Sequence, residues 1–235
     1  MGGSTDCLVA MDVNKKVVPY GNGTYWQFSH EDLKHVGDPT GIFVEEGELL
    51  YGLVRAMKPK SILETGTNVG VSTSYMALGL RDNLKYGVGA APIRTIEHNT
   101  DVAAMAVKKL GDMDLLQFVN VIAGGVDEFL DAMMRNPGQY GAPYDLVWLD
   151  TELNHRYGEF VKVFPHVSPG GLICIHDLWE LDNKEFGGLP PQMEEWLCRG
   201  DMRVMPLNTG HGVTIFQKRS TVDYASRLQE GMVCK

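Results

Sequence analysis

The feature that most constrains this chain is an alternation. Between Ser61 and Asp177, five short apolar runs have strand length: Ser61–Glu64, Ile93–Ile96, Val119–Ala123, Tyr144–Leu149 and Leu172–Ile175. Helical spacing follows each of the first four, at Val71–Arg81, Asp101–Leu110, Val126–Met134 and Glu159–Val167, and the last helix is closed by Pro169-Gly170-Gly171. Pro190–Cys198 reads as a further helix. Strands that alternate with helices build a parallel sheet covered on both faces, because each parallel connection must cross back over the sheet. Met202–Pro206 and Val213–Gln217, joined through Asn208-Thr209-Gly210, add an antiparallel hairpin at the end. A helix precedes the first strand, where Leu49, Leu50, Leu53, Val54 and Met57 recur at helical spacing before Pro59 stops it. The expected fold is a single doubly wound α/β domain with a mostly parallel seven-stranded sheet and an antiparallel C-terminal hairpin. It would span residues 41–217, with an N-terminal extension (1–40) packed on it by Trp26 and Phe28, and a tail at 218–235.

In such sheets ligands bind outside the carboxyl ends of the strands. Four of these strands end in polar residues: Glu64, Glu97, Asp150 and the pair His176-Asp177. All should therefore meet one rim. The first loop, Glu64-x-Gly66-x-x-x-Gly70, lacks both the GxGxxG spacing of a dinucleotide site and the Gly-Lys-Ser/Thr of a phosphate loop. A carboxylate at its mouth would repel phosphate and suit an ammonium group. Gly66 and Gly70 allow close backbone approach, and Ser72 at the helix start can bond a carboxylate beside the helix N–H groups. Glu97 is placed to take the hydroxyls of a ribose. Ala123-Gly124-Gly125-Val126-Asp127 offers small residues where a flat base could lie. An amino acid joined to ribose and adenine without phosphate is S-adenosylmethionine. Taken singly, each residue also has a structural reading: the glycines as a tight turn, Glu64 as a helix cap, Glu97 as an exposed strand end.

The ordered set GIFVEEGELLYGLV, LETGTNVGVSTSY, IRTIEHN, VIAGGVDEFL, YDLVWLD and SPGGLICIHD, running from about Gly41 to Phe216, resembles the class I methyltransferases, which are Rossmann-like. More narrowly it resembles the catechol O-methyltransferase-like group with its bacterial antibiotic and sugar relatives. The resemblance implies that Glu64, Gly66, Asn68, Gly70 and Ser72 hold the methionine part. It also implies Glu97 for the ribose, and Gly124, Gly125, Val126 and Asp127 for the adenine edge. It further implies a divalent ion, magnesium or manganese, held by acidic residues at Asp150 and Asp177 so that an acceptor hydroxyl lies next to the methyl donor. A free phenol ionises only near pH ~10, and a dication lowers that pKa and fixes the oxygen.

This sequence departs from the catechol pattern twice. His176 stands where that family often has aspartate, and imidazole suits manganese, iron or zinc better than magnesium. Strand alternation would turn His176 and Asp177 to opposite faces, so Asp150 and Asp177 are the expected ligands, with His176 completing the set. The catechol enzymes also place a lysine base near this point. None occurs between Asp150 and Lys162, and His155, with an ordinary pKa near ~6.5, is the candidate base. Trp179 and the segment 185–191 are candidates to cover a substrate.

Bulk properties narrow the partners. A net charge of −9 with basic residues only in pairs (Lys15-Lys16, Lys108-Lys109) disfavours nucleic acid. The apolar runs are too short to span a membrane, and no signal-peptide order is present at the start. Four scattered cysteines without CxxC point to a reduced, cytoplasmic setting, with Cys174 as a core residue. The expectation is a methyltransferase for a hydroxylated small molecule, free of nucleic acid and membrane, with a homo-oligomer left open. The alternatives are a metal-independent enzyme using His155, a nicotinamide-dependent oxidoreductase, and a cofactor-binding protein without catalysis.

Overall fold

A computed structural model of the chain describes residues 41–178 and 188–219. The N-terminal extension with Trp26 and Phe28, Trp179, residues 185–187 of the 185–191 segment and the tail beyond Arg219 lie outside the described residues. The elements are α1 (Val44–Met57), β1 (Ile62–Thr65), α2 (Val71–Leu84), β2 (Ile93–Glu97), α3 (Thr100–Asp112), β3 (Val119–Ala123), α4 (Val126–Arg135), β4 (Tyr144–Leu149), α5 (Leu153–Val163), β5 (Val167–His176), α6 (Pro191–Cys198), β6 (Met202–Leu207) and β7 (Val213–Lys218). They form one seven-stranded sheet in the order β3-β2-β1-β4-β5-β7-β6. β1 to β5 pair in parallel, and β7 runs antiparallel to both β5 and β6. This is the doubly wound sheet with a closing antiparallel hairpin expected from the pattern. Among the described residues no helix is long and apolar enough to cross a membrane.

The central strands are apolar because helices cover both their faces. β1 is buried at every position, and Leu63, Val147, Leu149, Ile173 and Ile175 join Tyr157, Phe160 and Phe164 of the α5 side in one core. Burial pushes the thiol of Cys174, in the middle of β5, up to about 12, so it behaves as a small core side chain. Strand order reverses between β1 and β4, which makes their carboxyl ends the switch point where this fold opens a crevice.

One boundary differs from expectation. The helix after β4 begins at Leu153, not near Glu159, and ends at Val163. Pro169-Gly170-Gly171 does not stop a helix; it lies inside β5, where the pairing register with β4 shifts between Tyr144 and Leu146 and Gly170 takes a φ of +84°. A bulge accommodates a proline that a regular ladder would exclude. The earlier helix start moves Arg156 onto the first turns of α5, directly beside the strand ends.

Candidate functional site

The loop after β1 is shaped by two constraints. Gly66 (φ +82°) and Gly70 (φ +80°) are left-handed, as is Asn68 (φ +47°). Gly66 has no alternative: a Cβ there would sit 2.2 Å from the carbonyl oxygen of Asp150. The β1 loop thus lies directly against the end of β4. The amides of Gly66 and Thr67 both donate to the Ile96 carbonyl, at 3.0 and 3.1 Å, which ties the loop to β2.

Glu64 is fully buried. Its two oxygens accept hydrogen bonds from the Ser72 and Thr73 hydroxyls, each at 2.5 Å. The carboxylate therefore anchors the start of α2, and the two residues expected to grip a ligand's methionine part are bonded to each other. Burial drives the Glu64 carboxyl up to about 7, against the opposing pull of the hydroxyl bonds. Glu97, at the end of β2, accepts from the backbone amides of Asn68 and Asn99, both at 2.9 Å. It thereby fixes the apex of the β1 loop, while Asn99 caps α3 by accepting from the amides of Asp101 and Val102. The Gly124 amide donates to the Glu97 carbonyl at 2.8 Å, bringing the β3 end alongside, and the face around Gly124 is open. Gly125 caps α4 and Val126 begins it, half-buried. Asp127 is in the first turn of α4 and pairs with Lys162 of α5 at 2.8 Å on the surface.

At the ends of β4 and β5 the carboxylates meet cations instead. Asp150 Oδ1 accepts from Arg156 Nη2 at 3.0 Å and lies 2.9 Å from His176 Nδ1. Asp177 Oδ2 accepts from Arg156 Nη1 at 2.8 Å. Arg156 is only 5% exposed in its side chain and also donates to the carbonyls of Thr151 (2.8 Å) and His176, so it is fixed from four sides. Asp177 takes a φ of +57°, which ends the strand and swings its carboxylate back toward the side occupied by His176 and Asp150. The alternation that would separate His176 from Asp177 fails because β5 stops at His176.

His176 lies between two carboxylates, since its Nε2 is 3.0 Å from Glu46 Oε2 in α1. Burial opposes a charge on His176, yet the bonds to Asp150 and Glu46 and the nearby Asp177 outweigh it and raise the imidazole to about 10. Glu46 is likewise buried. That burial is overridden by His176 and by the amides of His211 and Phe43, which bring the carboxyl down to about 2. His155 stands in the first turn of α5, half exposed, 3.9 Å from Glu152. A further buried carboxylate, Glu159 of α5, accepts from the hydroxyls of Thr65 (2.6 Å) and Thr151 (2.5 Å) and joins α5 to the β1 and β4 ends.

Sequence reading did not single out Arg156, Glu46, Glu159 or His211. Glu46 had one local signal, its position three residues after the residue preceding α1, where a glutamate reaches back to the chain; it accepts from the Phe43 amide at 2.8 Å. The other three depend on elements far apart in sequence.

Comparison with known proteins agrees with this architecture. Residues 63–178 match the family described as "Methyltransferase domain". A catechol O-methyltransferase of Niastella koreensis is 25% identical over 196 residues, 82% of this chain and 82% of that protein. The O-methyltransferase TomG of Streptomyces achromogenes, involved in tomaymycin synthesis and solved in complex with S-adenosylmethionine, superposes with a TM-score of 0.63 at 22% identity, covering 77% of this chain and 82% of the other. The O-methyltransferase of Bacillus cereus, solved with S-adenosylhomocysteine, gives a TM-score of 0.65 at 18% identity, covering 77% and 84%. With a doubly wound sheet and acidic strand ends on one edge, this chain is similar to the class I S-adenosylmethionine-dependent methyltransferases in fold, and its residues 63–178 match their methyltransferase domain.

Proposed function

We propose that the chain transfers the methyl group of S-adenosylmethionine to a hydroxyl oxygen of a small molecule bound beyond the ends of β4 and β5. The observation that carries this reading is the close approach of Gly66 to the Asp150 carbonyl: it joins the cofactor loop to the acidic pair at the switch point. The loop backbone around Gly66 and Asn68 would receive the amino acid end of the cofactor. Glu97 would accept from the ribose hydroxyls, and the open face at Gly124 would receive the adenine. Glu64 and Ser72 act at one remove, holding α2 against the loop.

The acceptor side suits a magnesium- or manganese-type ion. Asp150 and Asp177 are hard oxygen donors. Arg156 orients both through Asp150 Oδ1 and Asp177 Oδ2, and their other oxygens carry no bond among the described residues. His176 adjoins that set, with Nδ1 turned to Asp150 and Nε2 to Glu46. When bound, such an ion would lower the pKa of the acceptor hydroxyl. The acceptor oxygen attacks the methyl carbon, the sulfur–carbon bond breaks to leave the neutral thioether, and the hydroxyl proton passes to His155.

The test is turnover of methyl-labelled S-adenosylmethionine with a panel of hydroxylated acceptors, with and without magnesium or manganese, alongside calorimetric titration with S-adenosylhomocysteine and with NAD. Product formation that Asp150→Asn abolishes, with cofactor binding retained, is expected. Tight NAD binding without S-adenosylhomocysteine binding would replace this reading with an oxidoreductase. Cofactor binding with no product from any acceptor would favour a binding protein. Asp150→Asn with full activity would remove the acidic pair from the reaction, and an unchanged pH profile in His155→Ala would remove the base.

A further inference from the structure

Behind the rim lies a second set of ligand-type side chains that the proposed reaction does not use. Glu46 of α1, His176 at the end of β5 and His211 in the turn between β6 and β7 come from three elements, and one ligand atom from each lies within 4.8 Å of the other two. Glu46 Oε2 is 3.0 Å from His176 Nε2 and 3.5 Å from His211 Nδ1. Ligand atoms around a tetrahedral zinc ion at roughly 2.0–2.1 Å stand about 3.3 Å apart. The two observed separations bracket that value. The imidazole rings stand at 86° to each other with centroids 5.2 Å apart. They therefore converge on the carboxylate from different directions and do not stack.

The neighbouring groups hold these three side chains in place. His176 presents Nε2 to Glu46 and turns Nδ1 to Asp150 at 2.9 Å, the carboxylate–imidazole pairing that orients a metal-bound histidine. The second oxygen of Glu46 accepts from the Thr209 hydroxyl and the His211 amide, both at 2.9 Å, so the carboxylate and the histidine-bearing turn are locked together. Phe43 packs on the His211 ring at 4.1 Å, and Trp148 lies 5.3 Å from the His176 ring. Among the described residues His211 Nδ1 is buried with no hydrogen-bond partner, a condition that a metal ion would relieve.

We propose that Glu46, His176 and His211 bind one transition-metal ion of the zinc type, separate from any ion held by Asp150 and Asp177. Two imidazoles and one carboxylate select zinc, cobalt or nickel over magnesium. Three protein ligands leave a fourth position for water. The ion takes the place of a proton between His176 Nε2 and Glu46, leaving Nδ1 to donate to Asp150. It also clamps α1, β5 and the β6–β7 turn at one point and fixes the tautomer through which His176 holds Asp150. His211, 30% exposed in its side chain, is the ligand nearest the surface.

The experiment is metal binding, not activity. The full chain, made without an affinity tag and stripped by dialysis against chelator, is titrated with cobalt(II) and then with zinc. One equivalent of cobalt should give the intense visible absorption of a tetrahedral centre, and one equivalent of zinc should bleach it. His211→Ala should lower zinc affinity on the order of 100-fold or more, and Asp150→Asn by about 10–100-fold as the loss of an orienting carboxylate. Asp177→Asn should leave it intact. No tetrahedral cobalt spectrum in the wild-type chain overturns the site, as does zinc affinity equal in wild type and His211→Ala. Affinity lost in Asp177→Asn but kept in His211→Ala would assign the ion to the rim. Because the readout is spectroscopic, a chain that binds zinc here but methylates nothing would leave this site standing while the proposed function falls.

Discussion

The two halves of the sheet edge treat their carboxylates in opposite ways. At β1 and β2, hydroxyls hold Glu64 and backbone amides hold Glu97, with the exposed His98 ring 3.2 Å from Glu97 Oε1. At β4 and β5, Asp150 and Asp177 are held by a buried guanidinium, with His176 wedged between Asp150 and Glu46. Glu97, fixed by backbone amides, stands at the loop where a ligand hydroxyl can reach it, while Glu64 is shut in and its carboxyl is raised to about 7 by burial. Asp150 and Asp177, each fixed through one oxygen by a buried cation, are rigid in position. The edge thus has a receptive half and a braced half, and the glycine crossing between them at Gly66 brings the two within contact.

The comparison can be broken most directly at the brace. Arg156→Met leaves Asp150 and Asp177 with His176 as the cation beside them and removes the bonds to the Thr151 and His176 carbonyls, and should cost about 3 kcal/mol in denaturant unfolding. An unchanged midpoint would mean the guanidinium is not what holds this half. The crossing comes next. Gly66→Ala forces a side chain against the Asp150 carbonyl at a left-handed φ and should cost roughly 3 kcal/mol together with most of the affinity for S-adenosylhomocysteine. Full cofactor affinity in that variant would separate the two halves.

The receptive half is sharpened by pH. Glu64 is raised from 4.5 to about 7 in the folded chain, so the folded state binds its proton more tightly than the unfolded one. Its contribution is complete below pH 4.5, declines as pH rises through 7 and is flat above. Relative to Glu64→Gln, wild type should lose roughly 3 kcal/mol between pH 4.5 and 7.5. Parallel stability–pH curves would show that Glu64 carries no such shift. Glu97→Ala orphans the amides of Asn68 and Asn99 and should cost about 1–2 kcal/mol of stability, with a roughly tenfold or greater loss of S-adenosylhomocysteine affinity. Lost stability with intact affinity would confine Glu97 to bracing the loop. The smallest effect is expected at the surface: Asp127→Asn, which breaks an exposed pair with Lys162, should change stability by under about 0.5 kcal/mol and leave cofactor binding as it is. A clear loss of affinity there would bear out Asp127 at the adenine edge.

What the sequence determined by itself was the architecture and the edge on which chemistry sits. Alternating strand-length and helix-length runs dictate a parallel sheet, and polar residues at successive strand ends must then share one rim, because parallel strands end on the same side. Gly66 and Gly70 were legible for the same local reason: a turn from strand to helix calls for left-handed backbone. The tertiary structure decided which groups on that rim bond to one another. Arg156 reaches Asp150 and Asp177 only because α5 starts six residues earlier than its apolar spacing implied and because β5 stops at His176. The meeting of Glu46, His176 and His211 joins a helix, a strand and a turn separated by up to 165 positions in the chain. Periodicity records which face of an element is buried. It carries no information on which distant side chain will stand opposite, since that depends on how neighbouring elements are offset when they pack.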